Sequence, residues 1–81
     1  MKSRASSQFD KKYAALPEAI RKKIKKQTRF LIENLRHPSL RAKKYDETKG
    51  IWQARVDRHY RFYFMIEGDT YILTNITKHT D

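Results

Sequence analysis

The chain has no cysteine in its 81 residues. Disulfides and thiolate metal sites are therefore excluded, and the absence is compatible with a reducing cytoplasm. With only two glycines and two prolines, there is no glycine-rich loop to cradle phosphates and no nucleophile elbow. No apolar run approaches the roughly 18 residues that a membrane span needs. The start, MKSRASSQ, is basic but lacks the apolar stretch of a secretory signal. His37, His59 and His79 stand too far apart for metal-ligand spacing, so neither a metal nor another cofactor is expected.

Acids are scarce too. Nine Asp and Glu against nineteen Lys and Arg give a formal charge of +10. Such a balance suits a polyanionic partner: nucleic acid, a ribosome or an acidic protein. A basic surface kept only for solubility would strain the compact state by self-repulsion. A membrane surface fits less well, because it asks for one helix with a basic face opposite bulky apolar residues. Residues 1–81 are the length of one small, soluble, intracellular domain. A domain of that size buries only roughly 60% of its unfolded surface, so a bound partner would add stability.

The first half reads as helical. Ser7 and Asp10 have the spacing of a capping box. Phe9, Tyr13 and Leu16 then recur on one helical face. Pro17 ends that helix and suits the first turn of the next. Ile20, Ile24, Leu31 and Leu35 mark a second helix, with Gln27 or Thr28 filling the gap in its stripe and Lys22, Lys23, Lys25 and Lys26 on its other faces. Pro38 stops it, with His37 as a C-terminal residue favoured by the helix dipole. Together they form a helical hairpin.

The second half changes period. Ile51 to Val56, Tyr60 to Glu67 and Tyr71 to Thr77 are rich in β-branched and aromatic residues. Gly68-Asp69 is a two-residue turn, and Asp57 to His59 a three-residue one. A short strand near Arg41 to Tyr45 precedes them. Two helices followed by an antiparallel sheet of three or four strands give an α+β domain. The tight turn pairs Val56 with Tyr60, Ala54 with Phe62 and Trp52 with Phe64, stacking the apolar sets under the helices. A stacking platform of Trp52, Phe62 and Phe64 for nucleobases is the sharper reading, but so small a domain needs them as core. The same register sets Arg55 opposite Arg61 on the other face. Like charges directly across a sheet destabilise it. Either an anion sits between them or the two side chains splay into solvent.

In order and spacing, "P-S-L-R-x-K-K", "K-G-I-W-Q-A-R-V", "Y-R-F-Y-F" and the terminal "K-H-T-D" resemble the RelE/ParE superfamily of type II toxins, over about Phe9 to the C-terminus. The resemblance implies a RelE-like fold, a cognate acidic antitoxin and, often, ribosome-dependent cleavage of messenger RNA; some relatives instead poison DNA gyrase. It also implies a strand ahead of the hairpin, which the polar Met1–Ser7 predicts to be short or missing.

The resemblance carries functional positions over one by one. Arg55 matches a basic residue on the first strong strand, and Arg61 an arginine that contacts the scissile phosphate. His79 matches a basic residue after the last strand, histidine in YoeB-like members. Gln53 stands where those members carry a glutamate base and RelE a lysine, and glutamine cannot take a proton near neutrality. The family's C-terminal tyrosine has no counterpart before Asp81. RNA can be cut without metal when its 2′-hydroxyl attacks the adjacent phosphate. Arginine suits the developing charge because its fork binds phosphate bidentately. Histidine suits proton transfer to the leaving 5′-oxygen. The turn at Gly68-Asp69 places Arg61 near Ile76, with His79 just past the strand end and Asp81 the one acid close by to orient its ring. Lys22, Lys23, Lys25, Lys26, Arg41, Lys43 and Lys44 are the candidate RNA-phosphate contacts.

Two function classes remain open: an endoribonuclease toxin working on the ribosome, and a toxin that binds without cutting, whether gyrase or only its antitoxin. Arg55, Arg61 and His79 favour the first, Gln53 and the short tail the second.

Overall fold

The computed structural model describes residues 1–79. Two helices cover one face of a five-stranded sheet, in the order β1(Lys2–Ala5), α1(Ser7–Ala14), α2(Glu18–Glu33), a 3-10 turn at Pro38–Leu40, β2(Lys43–Asp46), β3(Ile51–Arg55), β4(Tyr60–Glu67) and β5(Thr70–Lys78). Strand order across the sheet is β1-β5-β4-β3-β2. Among the described residues no helix is long and apolar enough to cross a membrane.

The α+β class and the hairpin-on-sheet arrangement are as expected, but the sheet has five strands rather than three or four. The extra one is β1, which runs parallel to β5 from Lys2↔Thr70 to Ala5↔Leu73. Apolar alternation could not reveal it. An edge strand joined by backbone hydrogen bonds needs little side-chain burial, and charged side chains such as Lys2 and Arg4 protect such an edge from further pairing. The first helix is capped by Ser6, not by Ser7: the Ser6 hydroxyl accepts from the Phe9 N–H at 3.2 Å and donates to the Thr74 carbonyl at 3.2 Å. One side chain thus caps α1 and fastens it to β5.

In α1, Phe9 is buried and its ring stacks on Tyr13 one turn later. Arg21 reaches back from α2 to the link between the helices, donating to Leu16 O at 3.0 Å. Helix α2 ends at Glu33, short of Leu35. His37 is therefore not a helix C-terminal residue. Its ring stacks on Phe30 at 3.9 Å, and its Nδ1 accepts from the Ser39 N–H at 3.3 Å, capping the 3-10 turn that anchors the fully buried Leu40.

The gap in the α2 stripe is filled by Gln27, the one buried polar residue among those described. Its amide donates to Arg55 O at 2.8 Å and Ser39 O at 3.2 Å, and accepts from the Ser39 hydroxyl at 3.3 Å. It locks helix, turn and the end of β3 together. Gln27→Leu keeps much of the volume but takes the donor from the partly buried Arg55 and Ser39 carbonyls, so it is expected to cost about 1–3 kcal/mol. Urea unfolding checks this; wild-type stability would mean that water replaces the amide.

Phe62 and Phe64 are fully buried beneath the helices and Trp52 stacks on Phe64 at 6.0 Å, so these rings are core. The β3–β4 pairing has the expected register, including Arg55↔Arg61. The β4–β5 pairing departs by one residue. It begins at Glu67↔Thr70, but a bulge between Tyr63 and Phe64 leaves Thr74 as an extra residue, so Arg61 lies opposite Thr77, not Ile76. The cause is in the sequence of β5. Tyr71, Leu73 and Ile76 all face the core, whereas strict alternation would bury Asn75 and expose Ile76. The extra residue reverses the faces, and the Ser6 hydroxyl satisfies its carbonyl.

Candidate functional site

The face of the sheet turned away from the helices carries the candidate residues. Strand β3 presents Gln53 and Arg55, and β4 presents Arg61 and Tyr63. Lys43 joins them by pairing with Gln53. Arg41 enters from the 3-10 turn with φ 46° and ψ 44°, a left-handed conformation that costs an L-residue roughly 1–2 kcal/mol. Arg41, Lys43, Gln53, Ala54, Arg55 and Arg61 line a concavity of about 200 Å³. Four of these are cations and none is an acid.

The arginine pair is held by a backbone oxygen. Arg61 Nη1 donates to Asp57 O at 2.7 Å and to Tyr60 O at 3.0 Å. Arg55 Nε donates to the same Asp57 oxygen at 3.3 Å. An electronegative atom thus already bridges the two guanidinium groups, and neither splays freely into solvent. The Asp57 carboxylate braces this turn, accepting from His59 N at 2.8 Å, Tyr60 N at 2.9 Å and Lys23 Nζ at 3.2 Å. Burial works against the charge on Asp57, but the bonds from His59, Lys23 and Tyr60 outweigh it and hold its pKa below the ordinary carboxylate value.

A folded-state pKa below the unfolded one contributes stability that is present above the unfolded value, about 3.9, and is lost as pH falls through the folded value. The stability gap between wild type and Asp57→Asn should therefore be constant above about pH 5 and close in more acidic solution. Urea titrations at several pH values check this. A gap unchanged to low pH would show that the carboxylate charge is not what holds the turn.

Beside the cationic concavity lies a neutral one. Gln8, Tyr45, Ile51, Tyr63, Thr74, Asn75 and Thr77 line a hollow of about 280 Å³. A chain of hydrogen bonds crosses three strands between the two: Gln53 Nε2 donates to Tyr63 OH at 3.1 Å, and Tyr63 OH lies 3.1 Å from Thr77 Oγ1. Tyr45, the extra residue of a β2 bulge, meets the Tyr63 ring edge-on at 5.0 Å. Sequence pattern alone does not assemble this hollow: Tyr63 alternates onto the face of Arg61, but Asn75 arrives there only through the β5 bulge.

His79 lies one residue beyond β5, its backbone N–H bonded to the His59 carbonyl across from it. Continued alternation puts it on the same face as Thr77 and Arg61. Asp81, named above as its orienting acid, lies outside the described residues. The remaining cations are elsewhere. Lys44 sits on the helix-facing side of the sheet, 5.9 Å over the Trp52 ring. Lys22, Lys23, Lys25 and Lys26 belong to the helical layer on the other face of the sheet. From there Lys23 reaches the Asp57 carboxylate of the arginine turn, and Lys22 pairs with Glu18 at 3.6 Å. Among the described residues no three His, Asp or Glu side chains come together as a cation cage.

No family model matches the chain, and no curated protein matches it in sequence. Its architecture does have solved counterparts. The YoeB/ParE toxin from Agrobacterium tumefaciens superposes with a TM-score of 0.80 over 99% of this chain and 100% of that one, at 15% identity. The fold is that of the RelE/ParE toxins. The toxin in the intact E. coli RelBE toxin–antitoxin complex gives a TM-score of 0.77 at 13% identity, covering 99% of this chain and 98% of that one. The RelB–RelE antitoxin–toxin complex from Methanococcus jannaschii gives 0.72 at 24% identity, covering 91% and 87%. Identities this low speak for the RelE-like fold alone, so the chemistry has to be read from this chain's own side chains.

Proposed function

We propose that the protein is the toxin of a type II toxin–antitoxin pair, and that it cuts messenger RNA on the ribosome by transesterification. The observation that carries this reading is the pair Arg55 and Arg61, opposed across two strands and converging on one oxygen in a concavity with no acid. A phosphate oxygen is the ligand such a pair suits. In this scheme the 2′-oxygen bonds to phosphorus and loses its proton to solvent water, Arg61 and Arg55 hold the developing charge, and His79 gives a proton to the 5′-oxygen as its bond to phosphorus breaks. Gln53 orients groups without carrying a proton. Arg41 and Lys43 extend the phosphate path. Lys22, Lys25, Lys26 and Lys44, with Lys23 partly neutralised by Asp57, form a second basic surface for ribosomal RNA. The E. coli and M. jannaschii neighbours are toxin–antitoxin complexes; here too the partner would be an acidic antitoxin covering the arginine face.

The absence of any carboxylate from the concavity favours one alternative, a toxin that binds its target without cutting. Induced expression separates the two. Growth should arrest, with messenger RNA cut inside translated regions and ends bearing a 2′,3′-cyclic phosphate, or its hydrolysed form, and a 5′-hydroxyl. Intact messages with accumulating DNA breaks would instead support a gyrase poison.

A further inference from the structure

We infer that the neutral hollow around Tyr45 and Tyr63 is a subsite for one unpaired nucleobase of the strand whose phosphate lies between Arg55 and Arg61. The inference rests on reading the arginine pair as a phosphate site. The two concavities share one sheet face and are joined through Gln53 and Tyr63. One is lined by four cations, the other has no charged side chain. An anion beside a neutral, flat, partly polar group is the make-up of a nucleotide. An acidic peptide would match the cations but leave the uncharged half unanswered.

The dimensions agree. Arg61 and Tyr63 are alternate residues of β4, so they stand about 7 Å apart along the strand, within the reach of a single nucleotide. Tyr45 is 61% exposed although it is a large aromatic on a sheet. Its ring meets that of Tyr63 at 69° with centroids 5.0 Å apart, and its exposure leaves aromatic surface on which a base can stack. At the far side Gln8 Nε2 donates to Asn75 Oδ1 at 3.4 Å, and that oxygen also accepts from the Ile76 N–H at 2.9 Å. The Asn75 amide N–H₂ and the Gln8 carbonyl make no bond within the described residues, a neighbouring donor and acceptor such as a base edge requires. Stacking on tyrosine is tolerant of base identity, and the amide pair supplies polar contacts at the edge.

The test uses the full chain and two fluorescein-labelled 2′-O-methyl RNA trimers, which lack the attacking hydroxyl. One has adenine at the centre, the other is abasic there. By anisotropy, the wild type should bind the complete trimer about 5- to 100-fold more tightly than the abasic one, the range found for one stacked base. Tyr45→Ala should abolish that difference and Tyr45→Phe should keep it; the side chain is exposed enough that neither endangers folding. Arg61→Ala should weaken both trimers alike, which reads the phosphate site separately. Equal binding of the two trimers, binding of neither, or a difference that survives Tyr45→Ala overturns the base subsite. If Arg61→Ala changes neither trimer, it is the phosphate reading that fails. Trimers that do not bind a face which still binds an acidic antitoxin peptide would assign the hollow to the protein partner.

Discussion

Arg61→Ala is expected to slow single-turnover cleavage of ribosome-bound messenger RNA by about 10²–10³, the usual cost of removing one preorganised donor from a developing negative charge. The size of the effect follows from how Arg61 is held. Two backbone carbonyls, of Asp57 and Tyr60, fix its guanidinium group before any phosphate arrives, so little reorganisation opposes binding of the transition state. Arg55 has a single, longer bond to the Asp57 oxygen, and Arg55→Ala should fall short of Arg61→Ala. Arg61→Lys restores charge without the planar fork and should recover only part of the rate. The fold should survive. Arg61→Ala loses the bonds to the Asp57 and Tyr60 carbonyls but relieves a like-charge repulsion across the sheet, so the variant should stay folded, with a urea midpoint near that of wild type. Full activity in Arg61→Ala would show that this residue does not hold the phosphate.

His79→Ala is expected to cost a comparable factor, about 10²–10⁴, because a positioned proton donor supplies rate of that order. Its backbone is fixed by the bond to the His59 carbonyl, and alternation brings it to the edge of the Arg61 face. Added imidazole should restore part of the lost rate in His79→Ala, and should do nothing for Arg61→Ala. That contrast distinguishes proton transfer from a general loss of structure. If imidazole fails to rescue and binding of RNA is weakened in proportion to rate, His79 holds the strand rather than donating a proton.

Much of this architecture is legible in the sequence, and the misses share physical causes. Periods of 3.6 and 2 mark the helices and the three long strands because each buries an apolar face. The tight turn at Asp57 to His59 then fixes the β3–β4 register, and with it the opposition of Arg55 and Arg61. Strand β1 is present as a short strand, one of the two outcomes the polar Met1–Ser7 allows; side-chain patterning cannot decide between them because its contribution is backbone pairing at an edge. The β5 bulge escapes because alternation assumes one residue per position; Leu73 and Ile76, an odd distance apart yet both apolar, were the available sign. Through that bulge Asn75 and Thr77 reach the open face, so the neutral hollow could not be assembled from the sequence. The brace beneath the arginines was hidden for another reason: it is built from the Asp57 carbonyl and from Gln27, a polar residue in an apolar stripe, and backbone acceptors carry no sequence signature.

The most direct measurement is single-turnover cleavage of a defined message on programmed ribosomes, comparing the wild type with the double variant Arg55→Ala, Arg61→Ala, and identifying the chemical ends of the products. Cleavage by the opposed arginines requires that the wild type leave a 2′,3′-cyclic phosphate and a 5′-hydroxyl, and that the double variant, still folded and still able to bind its antitoxin, cut at least about 10²-fold more slowly. Wild-type rates in the double variant, or products ending in a 3′-hydroxyl and a 5′-phosphate, would contradict it.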